Sequence, residues 1–425
     1  MNVLLISFVV LLGILVLLEV GLRFLVGLGN PPLYVADPEI GYLLAPNQRT
    51  RRFGNRIAIN EYSMRSPTIT RSRDPSTLRV LLLGDSVANG ASWTDQEQTI
   101  SAMITTQLEL IIGKASSQVE DAMPQEKKPT SLSSLSLSVP EEDRKFPGKL
   151  VERIEVLNAS ANSWGPQNEL AYLKRFGTFE AQAVVLLLNT DDLFAPAPTS
   201  EAVGRDRNYP NHKPPFALAE LFNRYLWPKL PLSLRKAINT VSSFFDRHWR
   251  ELTGKTDPFL DSMPSLPQSP LHPEGVGKAK ATHDEFWEPE SSQKETALTA
   301  LVPQETALSH NELLNLNLNA ICQIQTLAEE AGAKFLLAMT PRLREISEPG
   351  SLDYELKCRD RLSQLAQTQS IYYLDFLPLF KACETPQRFY RDSIHLSSQG
   401  NQAVSEVIAR SLQQLLQLPT SSTKG

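Results

Sequence analysis

The chain is short of cysteine. Cys322, Cys358 and Cys383 are spread across its 425 residues. They are too few and too scattered for a disulfide framework or a zinc site. Histidine is sparse as well, with six residues, five of which (His212, His248, His272, His283 and His310) lie between positions 196 and 310. Those five contain no i,i+4 pair and no H-x-H, so no metal site is expected. A surplus of positive charge is also missing. The 42 basic side chains face 47 acidic ones, a net charge of -5, which gives no electrostatic case for a nucleic-acid partner. With 41% hydrophobic and 21% charged residues, the balance is globular rather than disordered. The length accommodates one large domain or about two to three ordinary ones.

The mean hydropathy of -0.22 conceals an uneven distribution. MNVLLISFVVLLGILVLL (1–18) carries no charge, and after Glu19 and Arg23 the apolar run continues to Gly29. A spanning helix needs about 20 apolar residues, and 2–22 qualifies if Glu19 lies near one interface. Glu19 and Arg23 stand i,i+4 in the favourable order and can pair there. No Lys or Arg precedes the run and no small-x-small site closes it, as a cleaved signal peptide would require. An uncleaved single-pass anchor over 1–29 is therefore the expectation. Arg23, Arg49, Arg51, Arg52 and Arg56 all follow the span, and by the positive-inside rule they would place that side in the cytoplasm.

Residues 30–78 are polar, Arg-rich and punctuated by Pro31, Pro32, Pro38 and Pro46. They read as a lead-in, with a small hairpin around RIAINEYSMRS (56–66). LRVLLLGDS (78–86) is a continuous apolar run that predicts a strand buried on both faces. A helix is expected over 95–112. IEVLNAS (154–160) and AVVLLLN (183–189) predict further strands, with a helix near 167–178 between them. KFLLAM (334–339) and IYYLDF (371–376) complete five, with helices over 311–331, 353–368 and 398–416. This alternation implies a parallel sheet with right-handed crossovers, a three-layer α/β/α sandwich spanning 79–416. Two insertions interrupt it. One is the low-complexity stretch 113–149. The other, 196–310, holds 14 of the 30 prolines and an amphipathic helix over 232–252. The tail 417–425 is expected to be disordered.

In such sheets ligands bind beyond the carboxyl ends of the strands. The first strand ends in Gly84-Asp85-Ser86. A serine there is a candidate nucleophile, although a serine after a strand is most often a helix cap. A nucleophilic serine also needs a base. His395 is the sole histidine outside the middle insertion, and it follows Asp392 by three residues, just before the last helix. A carboxylate at that spacing can bind one ring nitrogen and leave the other to take a hydroxyl proton. Taken alone, D-x-x-H is a capped loop more often than a catalytic one.

Together, GDS after the first buried strand and D-x-x-H before the last helix resemble the SGNH (GDSL-like) hydrolases. The resemblance covers roughly 79–112, 154–193 and 333–416. Asn60 to Arg65 also looks like a short N-x-x-G-x-R signature of membrane-linked members, here with Ser63-Met64 in its middle. The family implies Ser86 as nucleophile, His395 as base and Asp392 as its orienting acid. It implies an oxyanion hole from the N–H of Ser86, a glycine after the second strand and an asparagine after the third. The glycine position matches Ser163, with Gly165 two residues on. The asparagine position carries Asp191, and an ionised carboxylate would repel an oxyanion. Asn189 can replace it if the register slips, Asp191 can be protonated, or two backbone donors can serve. Arg342, or Arg344, after the fourth strand is a candidate contact for an anionic substrate. Trp93 and Trp164 follow the site motifs, where aromatic walls suit sugar or acyl groups, although core packing is the commoner role of a tryptophan.

The resemblance implies an esterase acting on acylated carbohydrate or lipid, with no metal or organic cofactor, on the extracytoplasmic face. That orientation opposes the arginine count. Two alternatives stay open: an O-acyltransferase using the same three residues, and an SGNH-like domain that binds glycans without turnover.

Overall fold

The computed structural model describes residues 2–122, 151–238, 240 and 308–418. They fall into two compact units. One comprises the chain up to Leu33, Thr50–Gly54 and the described residues 204–240. The other comprises Tyr34–Arg49, the described part of Asn55–Val203, and 308–418. Most of the 113–149 and 196–310 insertions, most of the 232–252 helix and the tail from 419 lie outside the described residues.

The larger unit opens with β1 (Tyr34–Asp37) and β2 (Gly41–Leu44), an antiparallel pair. Asp37 Oδ1 accepts the N–H groups of Glu39 and Ile40 and so sets the turn between them. β3 (Gln48–Arg52) and β4 (Asn55–Ile59) follow. The lead-in thus carries four short strands where the pattern predicts one hairpin. The main sheet contains β5 (Thr77–Gly84), β6 (Arg153–Ser160), β7 (Ala183–Asn189), β8 (Lys334–Thr340) and β9 (Tyr372–Asp375). Their order is β6-β5-β7-β8-β9, and every neighbouring pair is parallel. This is the five-stranded sheet expected from the sequence.

The apolar runs are continuous because both faces are covered. Leu78, Val80 and Leu82 join a core with Ile100, Ile104, Leu108, Val404, Ile408 and Leu412 from the helices Ile100–Ala122 and Ser398–Leu415. The alternate residues Leu81, Leu83, Val184, Leu186 and Leu337 are fully buried too. On their side the helices Pro166–Phe176, His310–Glu330 and Asp353–Thr368 pack against one another and the sheet. Each such leucine contributes about 1.5–3 kcal/mol on burial.

The helix expected over 95–112 starts later and runs longer. Thr99 Oγ1 accepts the N–H of Ala102 and caps its start. Within the described residues it continues to Ala122, because Gly113 is the only strong breaker in that stretch and one glycine does not stop a helix. The chain order places a topological switch point between β5 and β7. The connection after β5 leads to β6 on one side and the connection after β7 leads to β8 on the other, which opens a crevice at the strand ends.

The lead-in turn is held by its own side chains. Asn60 Oδ1 accepts the N–H groups of Tyr62 and Met64, and its Nδ2 donates to Pro67 O. Ser63 sits at φ 62°, a left-handed conformation that favours glycine. Ser63→Gly is therefore expected to stabilise the protein by about 0.5–1 kcal/mol, read as a higher urea midpoint with an unchanged m-value.

The smaller unit holds the N-terminal helix Asn2–Gly21, continued by a wider turn over Leu22–Val26. Leu5–Val26 has a mean hydropathy of 2.8, and none of that stretch is buried in the protein. Among the described residues it is the one helix long and apolar enough to cross a membrane. The Arg52 guanidinium and the Glu220 carboxylate form a buried pair in this unit. Gly29 N–H donates to Glu220, and Arg52 donates to Gly27 O.

Candidate active site

β5 ends at Gly84, whose Cα lies so close to β7 that an added Cβ would stand 2.6 Å from Leu187 O. The glycine lets Asp85 and Ser86 turn sharply over the strand end. Asp85 Oδ1 then accepts the N–H of Val87 at 2.8 Å and caps the short helix Ser86–Asn89. That helix is anchored from β6. Asn158 Nδ2 donates to Ala88 O, and Asn89 Nδ2 donates to Ser160 O.

The loop before the last helix folds on itself. Tyr390 and Leu396 form an antiparallel bridge, and Arg391 N–H donates to His395 O. Asp392 Oδ1 accepts the N–H groups of Ile394 and His395, an Asx-type turn that explains the three-residue spacing. Ser397 Oγ caps the following helix at Gly400 N–H. The Asp392 carboxylate lies 2.9 Å from His395 Nδ1 through each oxygen, and His395 Nε2 lies 3.0 Å from Ser86 Oγ. Three residues separated by up to 309 positions thus form one hydrogen-bonded chain. Burial alone would raise the Asp392 carboxyl. The hydrogen bond and charge of His395, with the two backbone N–H groups, outweigh it and hold Asp392 below the ordinary carboxylate range.

The other expected site residues divide. Asn189, the last residue of β7, donates from Nδ2 to Asp85 Oδ2 at 2.8 Å. Ser86 Oγ lies 3.2 Å from the same oxygen, so the Asn189 amide and the Ser86 hydroxyl are at most about 6 Å apart. Asp191 is engaged elsewhere: its Oδ1 receives Arg342 Nη1 at 3.0 Å. Burial pushes the Asp191 carboxyl up; Arg342 opposes this, and Glu355 and Glu345 add to it. Arg342 is therefore paired with a carboxylate of its own protein. Arg344 is paired with Glu355. Ser163 has φ 56°, and Gly165 N–H is engaged by Asn168 Oδ1 at the start of the next helix. Gly165 has a packing reason as well, since a Cβ there would meet Ala195 Cβ at 2.2 Å. Trp164 is buried, with its Nε1 on Tyr42 O. Trp93 lies under the Arg391 guanidinium at 3.9 Å and so links the loop after Ser86 to the loop of His395.

Two features escape the sequence reading. The first is Arg65, whose guanidinium donates to Asn89 O, Ala91 O, Thr94 O and Arg56 O. The lead-in motif carries that arginine but gives no hint of its partners. The second is a set of three buried carboxyl groups, Asp85, Asp192 and Glu169. Asp192 Oδ2 accepts the N–H of Asn189 at 2.7 Å, and neither Glu169 oxygen has a hydrogen-bond partner. Burial first, then the Asp85 charge, pushes Glu169 well above its ordinary value, and Asp192 is raised for the same reasons.

A raised carboxyl in the folded state stabilises the protein fully below the unfolded value near 4.3, and that stability is lost as pH rises toward the folded value. Glu169→Gln removes the titration. It is expected to raise Tm by about 3 °C at pH 8 and to leave Tm at pH 4 nearly unchanged, as followed by thermal melts across that range.

No protein-family model matches the chain, and no curated protein does. Solved structures with a similar course of the backbone include a lipase/acylhydrolase from Enterococcus faecalis, 10% identical, covering 79% of this chain and 96% of its own, with a TM-score of 0.33. A GDSL-like lipase from Bacteroides thetaiotaomicron is 7% identical over 81% of this chain and 92% of its own, also at 0.33. An acetylxylan esterase from Geobacillus stearothermophilus is 9% identical over 80% and 94%, at 0.34. Likeness at this distance says nothing about what the site does; its chemistry rests on the side-chain geometry.

Proposed function

We propose that this chain is a membrane-anchored serine hydrolase of SGNH type that cleaves acyl or acetyl esters of carbohydrate or lipid. The hydrogen-bonded chain from Ser86 Oγ through His395 to Asp392 carries this reading. Ser86 Oγ attacks the ester carbonyl carbon, and its proton passes to His395 Nε2. Asp392 holds the Nδ1–H tautomer and stabilises the imidazolium that forms. Collapse of the tetrahedral intermediate breaks the bond to the alcohol, which leaves with the proton from Nε2. Water then attacks the acyl-serine with His395 again as base, releasing the acid and restoring the hydroxyl.

The oxyanion is assigned to the second N–H of the Asn189 amide and to backbone donors at Ser86 and Ser163. Asn189 fits because its first N–H is fixed on Asp85, which aims the amide toward Ser86. Asp191 takes no such role here, since Arg342 holds its carboxylate. The apolar helix Leu5–Val26 supports an anchor, with the hydrolase domain on the extracytoplasmic side.

A fluorophosphonate probe tests the reading. The wild type is expected to be labelled on the peptide containing Ser86, and Ser86→Ala to remain unlabelled. An unlabelled wild type that also fails to hydrolyse p-nitrophenyl acetate contradicts it.

A further inference from the structure

We infer that residues 213–238 form a second membrane-contacting element, seated among the headgroups of an anionic bilayer beside the end of the anchor helix. The inference rests on the anchor reading and goes beyond it.

The first observation is where this segment is attached. Glu19, the first charge of the chain, accepts the N–H groups of Ala217 and Leu218 at 2.9 and 3.0 Å. Arg23, paired with Glu19, donates to Pro215 O at 2.9 Å. The apolar helix from Asn2 to Leu18 is about 26 Å long at ~1.5 Å per residue, close to the hydrocarbon thickness of about 30 Å. Glu19 and Arg23 therefore stand where the hydrocarbon ends. The backbone of 215–218, bonded directly to them, stands at the same depth.

The second observation is what the segment shows to its surroundings. Phe216 is 57% exposed, Leu226 47%, Leu232 58% and Leu234 46%. Phe24 and Leu25, at the same end of the anchor, are 78% and 82% exposed. Single exposed apolar side chains are ordinary, but a group of them in the unit that carries the membrane helix is the kind of surface that marks a membrane contact.

The third observation is charge. The stretch 213–238 carries Lys213, Arg224, Lys229, Arg235 and Lys236 against a single carboxylate, Glu220. That carboxylate is buried against Arg52. Apolar side chains interspersed with cations, held at the end of a membrane helix, are the chemistry of an interfacial element on anionic lipid. The lysines can extend their charges to the headgroups while their stems stay in the apolar zone.

The test uses the full chain in nanodiscs of phosphatidylcholine and phosphatidylglycerol. A photoreactive diazirine residue is placed singly at positions 216, 226, 232 and 234, at Val10 within the anchor, and at Leu379 as an exposed apolar control in the other unit. Lipid adducts are read by mass spectrometry. Adducts at position 216 and at two or more of the other three, at least about fivefold above the Leu379 background, are the expected result. Adducts at Val10 with none at these positions, or crosslinks to a second copy of the protein in place of lipid, overturn the inference and leave the anchor standing. No lipid adduct at Val10 removes the anchor and the inference with it.

Discussion

His395→Ala is expected to lower kcat/KM for p-nitrophenyl acetate by on the order of 10⁴-fold or more, with the fold intact. In the proposed reaction the imidazole has two jobs that no neighbour can take over. Its Nε2 lies 3.0 Å from Ser86 Oγ, so it is placed to receive the proton that makes the hydroxyl a nucleophile. It must then return that proton to the leaving alcohol. The other group bonded to Ser86 Oγ is Asp85, through Oδ2. It is a poor substitute, because the same oxygen already receives the Asn189 amide. Burial pushes Asp85 up while Val87 N–H, the His395 charge and Ser86 pull against it. Losing the imidazole should change Tm little, since the loop around it is held by the Asp392 turn and the Tyr390–Leu396 bridge rather than by the ring. Free imidazole added to the variant should restore part of the turnover, which a purely structural role would not allow. Near wild-type turnover by His395→Ala contradicts the proposed chemistry.

Much of this architecture was legible in the chain. β5 and β7 are buried on both faces, and their unbroken Leu and Val runs say so without an alignment. Ser86 and His395 stood out because each combines a reactive side chain with an element boundary. The proposed oxyanion donor was not legible, for a physical reason. Asn189 and Asp191 are two residues apart at the end of β7, and the alternation of a strand ceases where the strand does. Which of them faces Ser86 depends on the turn that follows. In the structure that turn is made by Asp192, which accepts the Asn189 N–H, and by Asn189 Oδ1, which accepts the Asp191 N–H. Glu169 was illegible for another reason. It sits in a helix of otherwise ordinary amphipathic pattern, and nothing local marks it as the residue turned inward with no partner.

Arg65 is where a motif recognised by its letters turns out to have a mechanical meaning. Arg65→Ala is expected to destabilise the protein by about 3–5 kcal/mol, a fall in Tm of roughly 8–15 °C, and to lower the proposed esterase activity below that melting point as well. The side chain is 1% exposed. Its guanidinium donates to Asn89 O at 2.8 Å, Ala91 O and Thr94 O at 2.5 Å each, and Arg56 O at 3.3 Å. Asn89 O closes the Ser86–Asn89 helix, and Ala91 O and Thr94 O belong to the turn that immediately follows it. Ala91 in that turn holds φ 42°, a strained value for a residue with a side chain, and the guanidinium supplies the compensating bonds. Burial pushes the Arg65 pKa down to about 10, partly offset by the Asp95 charge, so the group stays charged across the working range. Alanine would leave the turn's carbonyls buried beside an empty space, and water entering there would loosen the segment that fixes the start of the Ser86 helix. Arg65→Lys should recover only part of the loss, because an ammonium presents three donors from one atom and cannot reach four carbonyls spread around a planar fork. Urea denaturation of the two variants, with kcat and KM measured at 20 °C, separates the readings. If Arg65→Ala lost stability but kept wild-type kcat, Arg65 would be a strut of the fold alone, with no bearing on how Ser86 is held.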